Sequence, residues 1–123
     1  MKLLIDSHVL YWLWTDDPRL RLNARSMLRI TPAVVSLATY WELGIKIATG
    51  RMHLDEPLDD LIERDNFEVL EVKRAHAVEA WGLPAFHSDP FDRMLIAQAR
   101  YEGLVLMTAD KQILRYEVPV IRA

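Results

Sequence analysis

KLLIDSHVLYWLWT, residues 2–15, carries the unit from which the fold is read. A short apolar run closed by an acid, Asp6, passes without a spacer into a segment with helical spacing at Val9, Trp12 and Leu13. Strand passing at once into helix is the repeating step of a parallel sheet, and the same step recurs along the chain. DDP at 16–18 breaks the chain, and a second helical pattern runs through Leu20, Ala24, Met27 and Leu28 until Pro32. AVV at 33–35 is a second β-branched run. Ser36 stands after it as the N-cap of a helix through LATYWELGIKIATG that Gly50 can end. PLDDLIERD at 57–65 reads as a short helix, FEVLEV at 67–72 as an alternating strand and RAHAVEAWGLP at 74–84 as a helix closed by Gly82 and Pro84. HSDPFDRMLIAQA at 87–99 is a further helix, GLVLMTAD at 103–110 a buried strand ending at an acid, and YEVPVI at 116–121 an edge strand after a short helical piece. The expectation is an α/β protein, a three-layer α/β/α sandwich around a mostly parallel five-stranded sheet, in one domain over residues 1–123.

Composition narrows the chemistry. With 51% hydrophobic residues in 123, the chain has apolar surface enough for one core. It has no cysteine, so disulfides and thiolate metal sites are excluded, and any metal must take oxygen or imidazole ligands. No apolar run approaches the ~20 residues of a membrane span, and Asp6 interrupts the start where a signal peptide needs an apolar region. A soluble, cytoplasmic protein is expected. Its formal charge of −3 gives no overall attraction for nucleic acid, so any RNA binding must rest on local chemistry.

The acids supply that chemistry. In an open parallel sheet, ligands bind outside the carboxyl ends of the strands, where Asp6 and Asp110 should share a rim. Asp89 before Pro90 reads as an N-cap with proline next to it at the first helical position. Asp92 is different. It shares a helix face with Leu95, Ile96 and Ala99, so a carboxylate heads an apolar stripe and needs a cation, a donor or a raised pKa. A helix antiparallel to the strand it feeds would start on the same rim, so Asp6, Asp92 and Asp110 can converge. Each strand-end acid also has a plain use as the cap of the next helix, and Glu42 pairs at helical spacing with Lys46. Together the acids are harder to explain away. Like charges about 4 Å apart repel by ~4 kcal/mol at an effective dielectric near 20, and a hard cation resolves the conflict. Oxygen ligands favour Mg²⁺ or Mn²⁺ over zinc, and such a site suits phosphoester hydrolysis.

The chain resembles the PIN-domain ribonucleases, specifically the VapC-like toxins of toxin–antitoxin pairs. The resemblance runs in order through LIDSHVLYW at 4–12, VSLATYWELGIKIATGRM at 35–52, HSDPFDRMLIAQA at 87–99 and LMTAD at 106–110. It implies a Mg²⁺- or Mn²⁺-dependent endoribonuclease whose acids are Asp6, Glu42, Asp92 and Asp110, and so gives Glu42 a role that spacing alone does not. It also implies a homodimer, a cognate antitoxin protein that occupies the active-site groove, and as substrate a structured RNA cut in a single-stranded loop. Ser7 stands where threonine is common in the family, and the C-terminal residues lack an aromatic often found there.

Asp6, Asp92 and Asp110 are assigned to the metal, and Glu42 to the outer side of the site or to orienting the attacking water. Asp89 reads mainly as an N-cap, with a second metal as its alternative role. Ser7 and Thr108 flank two of the acids and could hold water or phosphate, although strand-end hydroxyls more often cap backbone groups. Lys46 and Arg93 are candidates for RNA phosphate, weighed against solvated ion pairs. His87 reads as structural, and His8, His53 and His76 have no spacing that suggests a metal cluster. The tryptophans at 12, 14, 41 and 81 read as core or dimer packing rather than base-stacking platforms. A Mg²⁺-dependent phosphatase or phospho-acceptor domain is the competing enzyme class. His8 stands where a haloacid-dehalogenase-type site wants a second acid, and the adjacent acids of a receiver domain are missing. A catalytically inactive interaction module is the third reading, disfavoured by the presence of all four acids.

Overall fold

The computed structural model describes all of residues 1–123. From the N-terminus come β1 (Leu3–Ile5), α1 (Ser7–Trp14), α2 (Leu22–Ile30), β2 (Ala33–Ser36), α3 (Leu37–Ala48) and α4 (Leu58–Arg64). The second half is β3 (Glu68–Leu70), α5 (Arg74–Trp81), α6 (Pro90–Glu102), β4 (Val105–Thr108), a 3₁₀ turn at Ile113–Arg115 and β5 (Val120–Arg122). The strands form one sheet in the order β3-β2-β1-β4-β5, and each neighbouring pair is parallel.

Alternation along the strands builds two cores. Leu3, Ile5, Ala33, Val35 and Met107 point to one face, where they meet Val9 and Leu10 of α1, Ala24 and Leu28 of α2, Leu43 of α3 and Ile62 of α4. Leu4, Val34 and Leu106 point to the other, against Leu95, Ile96 and Ala99 of α6 and Ile113 and Tyr116 beyond β4. A strand covered on both sides must be apolar throughout, which is why β1 is an unbroken, fully buried Leu-Leu-Ile. The layers are therefore helix, sheet, helix.

Several boundaries differ from the sequence reading. The strand expected over 67–72 pairs only at Glu68–Leu70, because Val69 and Val72 are exposed at the edge rather than packed on a face. The helix expected from Leu20 starts at Leu22, after Leu20 has been buried by the loop. Pro119 lacks the N–H that a paired residue would donate, and the last strand begins only after it, at Val120. The sheet is parallel throughout, not mostly so.

The order of strands places the site. The chain runs outward from β1 to β3, then returns across the sheet to β4 and β5, so the connections diverge between β1 and β4. At such a switch point an open sheet leaves a crevice outside the strand ends, and a cavity lined by Asp6, Ala109 and Asp110 lies there. Helix α6 delivers the chain to β4 through Gly103, whose left-handed φ of 68° closes the helix without the cost a side chain would add there.

Candidate active site

Asp6 and Asp110 flank the switch point, and Thr108 ties them together. The Thr108 hydroxyl donates to Asp6 Oδ2 at 2.6 Å and accepts the Asp110 N–H at 3.0 Å. Each acid also caps the backbone two residues on: Asp6 Oδ1 accepts the His8 N–H at 2.8 Å, and Asp110 Oδ1 accepts the Gln112 N–H at 2.8 Å. The plain reading of both acids is thus true and incomplete. Burial pushes Asp6 up, but its bonds from His8 and Thr108 outweigh that and hold the carboxyl below the usual range.

Asp92 arrives from the opposite layer, in the first turn of α6, and is buried despite its charge. Asp89 starts that helix, its Oδ1 accepting the Phe91 N–H at 2.8 Å, with Pro90 at the first helical position. Burial raises the Asp92 carboxyl to about 7, helped by the negative charges of Asp6, Asp89 and Asp110 and opposed by His87. His87 Nε2 lies 2.8 Å from Asp92 Oδ2 and 3.0 Å from Asp110 Oδ2, which makes it the donor between two carboxylates. The Asp89 N–H reaches His87 Nδ1 at 3.4 Å, which favours the tautomer with its proton on Nε2. Desolvation lowers the His87 pKa, yet the bond to Asp110 and the charges of Asp92 and Asp110 raise it on balance.

His87 is the functional candidate that sequence reasoning takes for a structural turn residue. It lies five positions before Asp92 but outside the helix, so no periodicity connects them; the loop folds back and brings them into contact. The ligand-type atoms of His87, Asp92 and Asp110 all lie within 4.8 Å of one another. Asp6 is outside that group, joined to it through Thr108 and through its charge on Asp92.

Glu42 sits on α3, buried, with Oε2 3.4 Å from Lys46 Nζ and Oε1 without a hydrogen-bond partner. Glu42 and Lys46 line a pocket with Arg51, Ser88 and Asp89 beside the start of α6. Ser7 is buried next to Asp6. Arg93 has another task than the phosphate contact its position suggests. Its guanidinium donates to the carbonyls of Ala80, Leu83, Pro84 and His87 at 2.9–3.2 Å and lies 3.3 Å from the Tyr116 hydroxyl, so its donors face the end of α5 and the loop that follows. Ala80 lies at the end of α5 and the other three carbonyls lie in the loop beyond it, and one planar cation reaches all four, with the Tyr116 hydroxyl also donating to Pro84 at 2.7 Å.

A divalent cation fits this donor set of crowded carboxylates with an imidazole, one carboxyl raised by its burial and by its neighbours' charges, and a buried Glu42 oxygen with no partner lies on α3. The model of the family described as the PIN domain matches residues 3–119. The chain belongs to the PIN-domain family. A curated relative, Ribonuclease VapC22 of Mycobacterium tuberculosis, is 29% identical over 121 residues that cover 94% of this chain and 92% of the relative. Among solved structures the chain is similar to VapBC2 from Rickettsia felis bound to a promoter DNA fragment, with a TM-score of 0.71, 11% identity, and 100% and 99% of the two chains covered. It is similar also to a toxin–antitoxin complex from Klebsiella pneumoniae, with a TM-score of 0.69, 19% identity, and 97% and 95% covered. At such identities these structures speak for the PIN fold.

Proposed function

We propose that the protein is a metal-dependent endoribonuclease, the toxin of a toxin–antitoxin pair, held inactive by a cognate antitoxin. The observation that carries this reading is the meeting of buried Asp92 with Asp110 and His87 at the rim that also holds Asp6. Such crowding is costly in a fold with no use for it. The VapC relative, named a ribonuclease, and the toxin–antitoxin complexes of similar fold support the choice of reaction and partner.

Asp6, Asp92 and Asp110 are the proposed holders of Mg²⁺ or Mn²⁺, with His87 as a further donor and Asp89 as the acid nearest to a second ion. The cation would activate water and offset the charge that builds on the phosphate oxygens. Glu42 orients the attacking water through its free oxygen, and Lys46 beside it neutralises Glu42 and faces the RNA backbone. Thr108 fixes the spacing of Asp6 and Asp110 and Ser7 fills the floor, so both act by position.

The proposed substrate is a structured RNA cut in a single-stranded loop, where the backbone can enter the crevice. The proposed assembly is a homodimer, supported by an exposed apolar groove of about 730 Å³ along α3 and the start of α6, where Trp41 is 65% exposed. No helix is long and apolar enough to cross a membrane, which agrees with action in the cytoplasm. Inducing the protein in cells and mapping new RNA 5′ ends tests the reading. Discrete new ends that vanish with Asp110→Ala are expected; an identical pattern from both proteins would overturn it.

A further inference from the structure

A smaller cavity of about 200 Å³ adjoins the acids, lined by Asp6, His8, Trp12, Ala109 and Asp110. Its aromatic wall is built by helix spacing. His8 and Trp12 are four residues apart on α1, so their rings stand on one face, with centroids 6.3 Å apart and planes inclined at 52°. Trp12 is held in place from the α1–α2 loop, where the Arg19 guanidinium lies 5.1 Å from its ring centroid. Arg19 is itself anchored by the Asp17 carboxylate at 2.7 Å. His8 is anchored only at its inner edge, with Nδ1 3.5 Å from Asp6 Oδ1, and its side chain is 62% exposed. The core thus takes part of the Trp12 surface, while the His8 ring is left open on the rim of the crevice.

The shape and charge of this cavity select its ligand. Without a cation Asp6 and Asp110 repel phosphate, and with one they draw it to the ion rather than to the rings. The His8 and Trp12 surface is thus left for a flat, uncharged ring. We propose that the cavity seats the unstacked nucleobase beside the cleaved phosphodiester, with His8 as its main stacking surface and Trp12 as the wall behind. The inference rests on the ribonuclease reading for the nature of the ligand. Stacking has no base code, because every base has a π-face, so the seat holds the strand in place without selecting a sequence. It also requires a base already out of its helix, which restricts cutting to single-stranded segments.

The test is binding of a fluorescent oligouridylate, and of the same chain with abasic ribose throughout, to the protein in the presence of a chelator. The two chains carry the same phosphates and differ only in bases. The wild type is expected to bind the oligouridylate more tightly, and His8→Ala to reduce that preference roughly 5- to 100-fold. His8→Phe, which keeps a ring without the imidazole nitrogens, is expected to restore it. Equal loss in His8→Ala and His8→Phe, an unchanged preference in His8→Ala, or no binding of either chain would each overturn the seat. RNA cleavage by the wild type with Mn²⁺, run beside it, separates the two ideas. Cleavage with no effect of His8→Ala on the preference removes the seat and leaves the ribonuclease. A base preference lost in His8→Ala and regained in His8→Phe, without cleavage, does the reverse.

Discussion

Asp92 concentrates the conflict that the site contains. Burial first, and the charges of Asp6, Asp89 and Asp110 after it, raise the carboxyl to about 7 from an ordinary value of 3.8. A carboxyl raised on folding weakens the folded state once the unfolded chain ionises, so the penalty grows as pH rises from about 4 to 7 and is constant above. Its ceiling for a shift of this size is roughly 4 kcal/mol. His87 acts in the same direction, since a histidine raised on folding contributes stability below its unfolded value that is lost as pH rises through the folded one. The metal-free protein is therefore expected to lose thermal stability between about pH 4 and pH 8, and Asp92→Asn to gain about 1–3 kcal/mol at pH 8 while losing activity. Denaturant titrations of both proteins at pH 5 and pH 8, with chelator present, measure this. A wild type whose stability rises with pH would refute the account of the crowding. Asp92 is legible in the sequence because a carboxylate on an apolar helical stripe has a physical signature. His87 is not, because its contacts are made by a loop whose path no period describes.

At the scale of elements, the loop from α5 to α6 is the part on which the site depends. Asp89 caps α6, and Asp89→Ala is expected to cost about 1 kcal/mol, read as a small fall in the thermal midpoint. Arg93 collects three carbonyls of the same loop and that of Ala80 at the end of α5, and Arg93→Ala is expected to cost more, about 2–4 kcal/mol. Arg93→Lys should restore little, because an ammonium cannot span acceptors that a planar fork reaches. A lysine variant with wild-type stability would show that charge alone suffices. Strand and helix order is readable for the same reason as Asp92: β1, β2 and β4 are apolar on both faces, and Ser36, Asp89 and Gly103 mark helix ends. Edge strands are harder to read, since β3 and β5 pair over only three residues each, and the exposed Val69 and half-buried Val120 and Ile121 look the same in sequence as buried residues. Arg93 misleads too, since a cation beside an acid gives no sign that its other side faces the carbonyls of a helix end and the loop after it.

Across the whole molecule, the strand order sets Asp6 and Asp110 on one rim, and α6 brings Asp92 to it from the layer that covers the sheet. Folding and the proposed catalysis then oppose each other there, and the proposed divalent cation would reconcile them. Millimolar Mn²⁺ is expected to raise the thermal midpoint of the wild type and to leave that of Asp92→Asn nearly unchanged; an equal rise in both would place the ion elsewhere. Light scattering is expected to give twice the 14.3 kDa of one chain, and a mass of one chain would contradict the homodimer. The most direct measurement of the central claim is cleavage of total RNA by purified protein, with Mn²⁺ and with chelator, for the wild type, Asp6→Ala and Asp110→Ala. Cleavage by the wild type only when the ion is present, and none by either variant, is the predicted result. Cleavage that persists in chelator, or undiminished cleavage by either alanine variant, would contradict it.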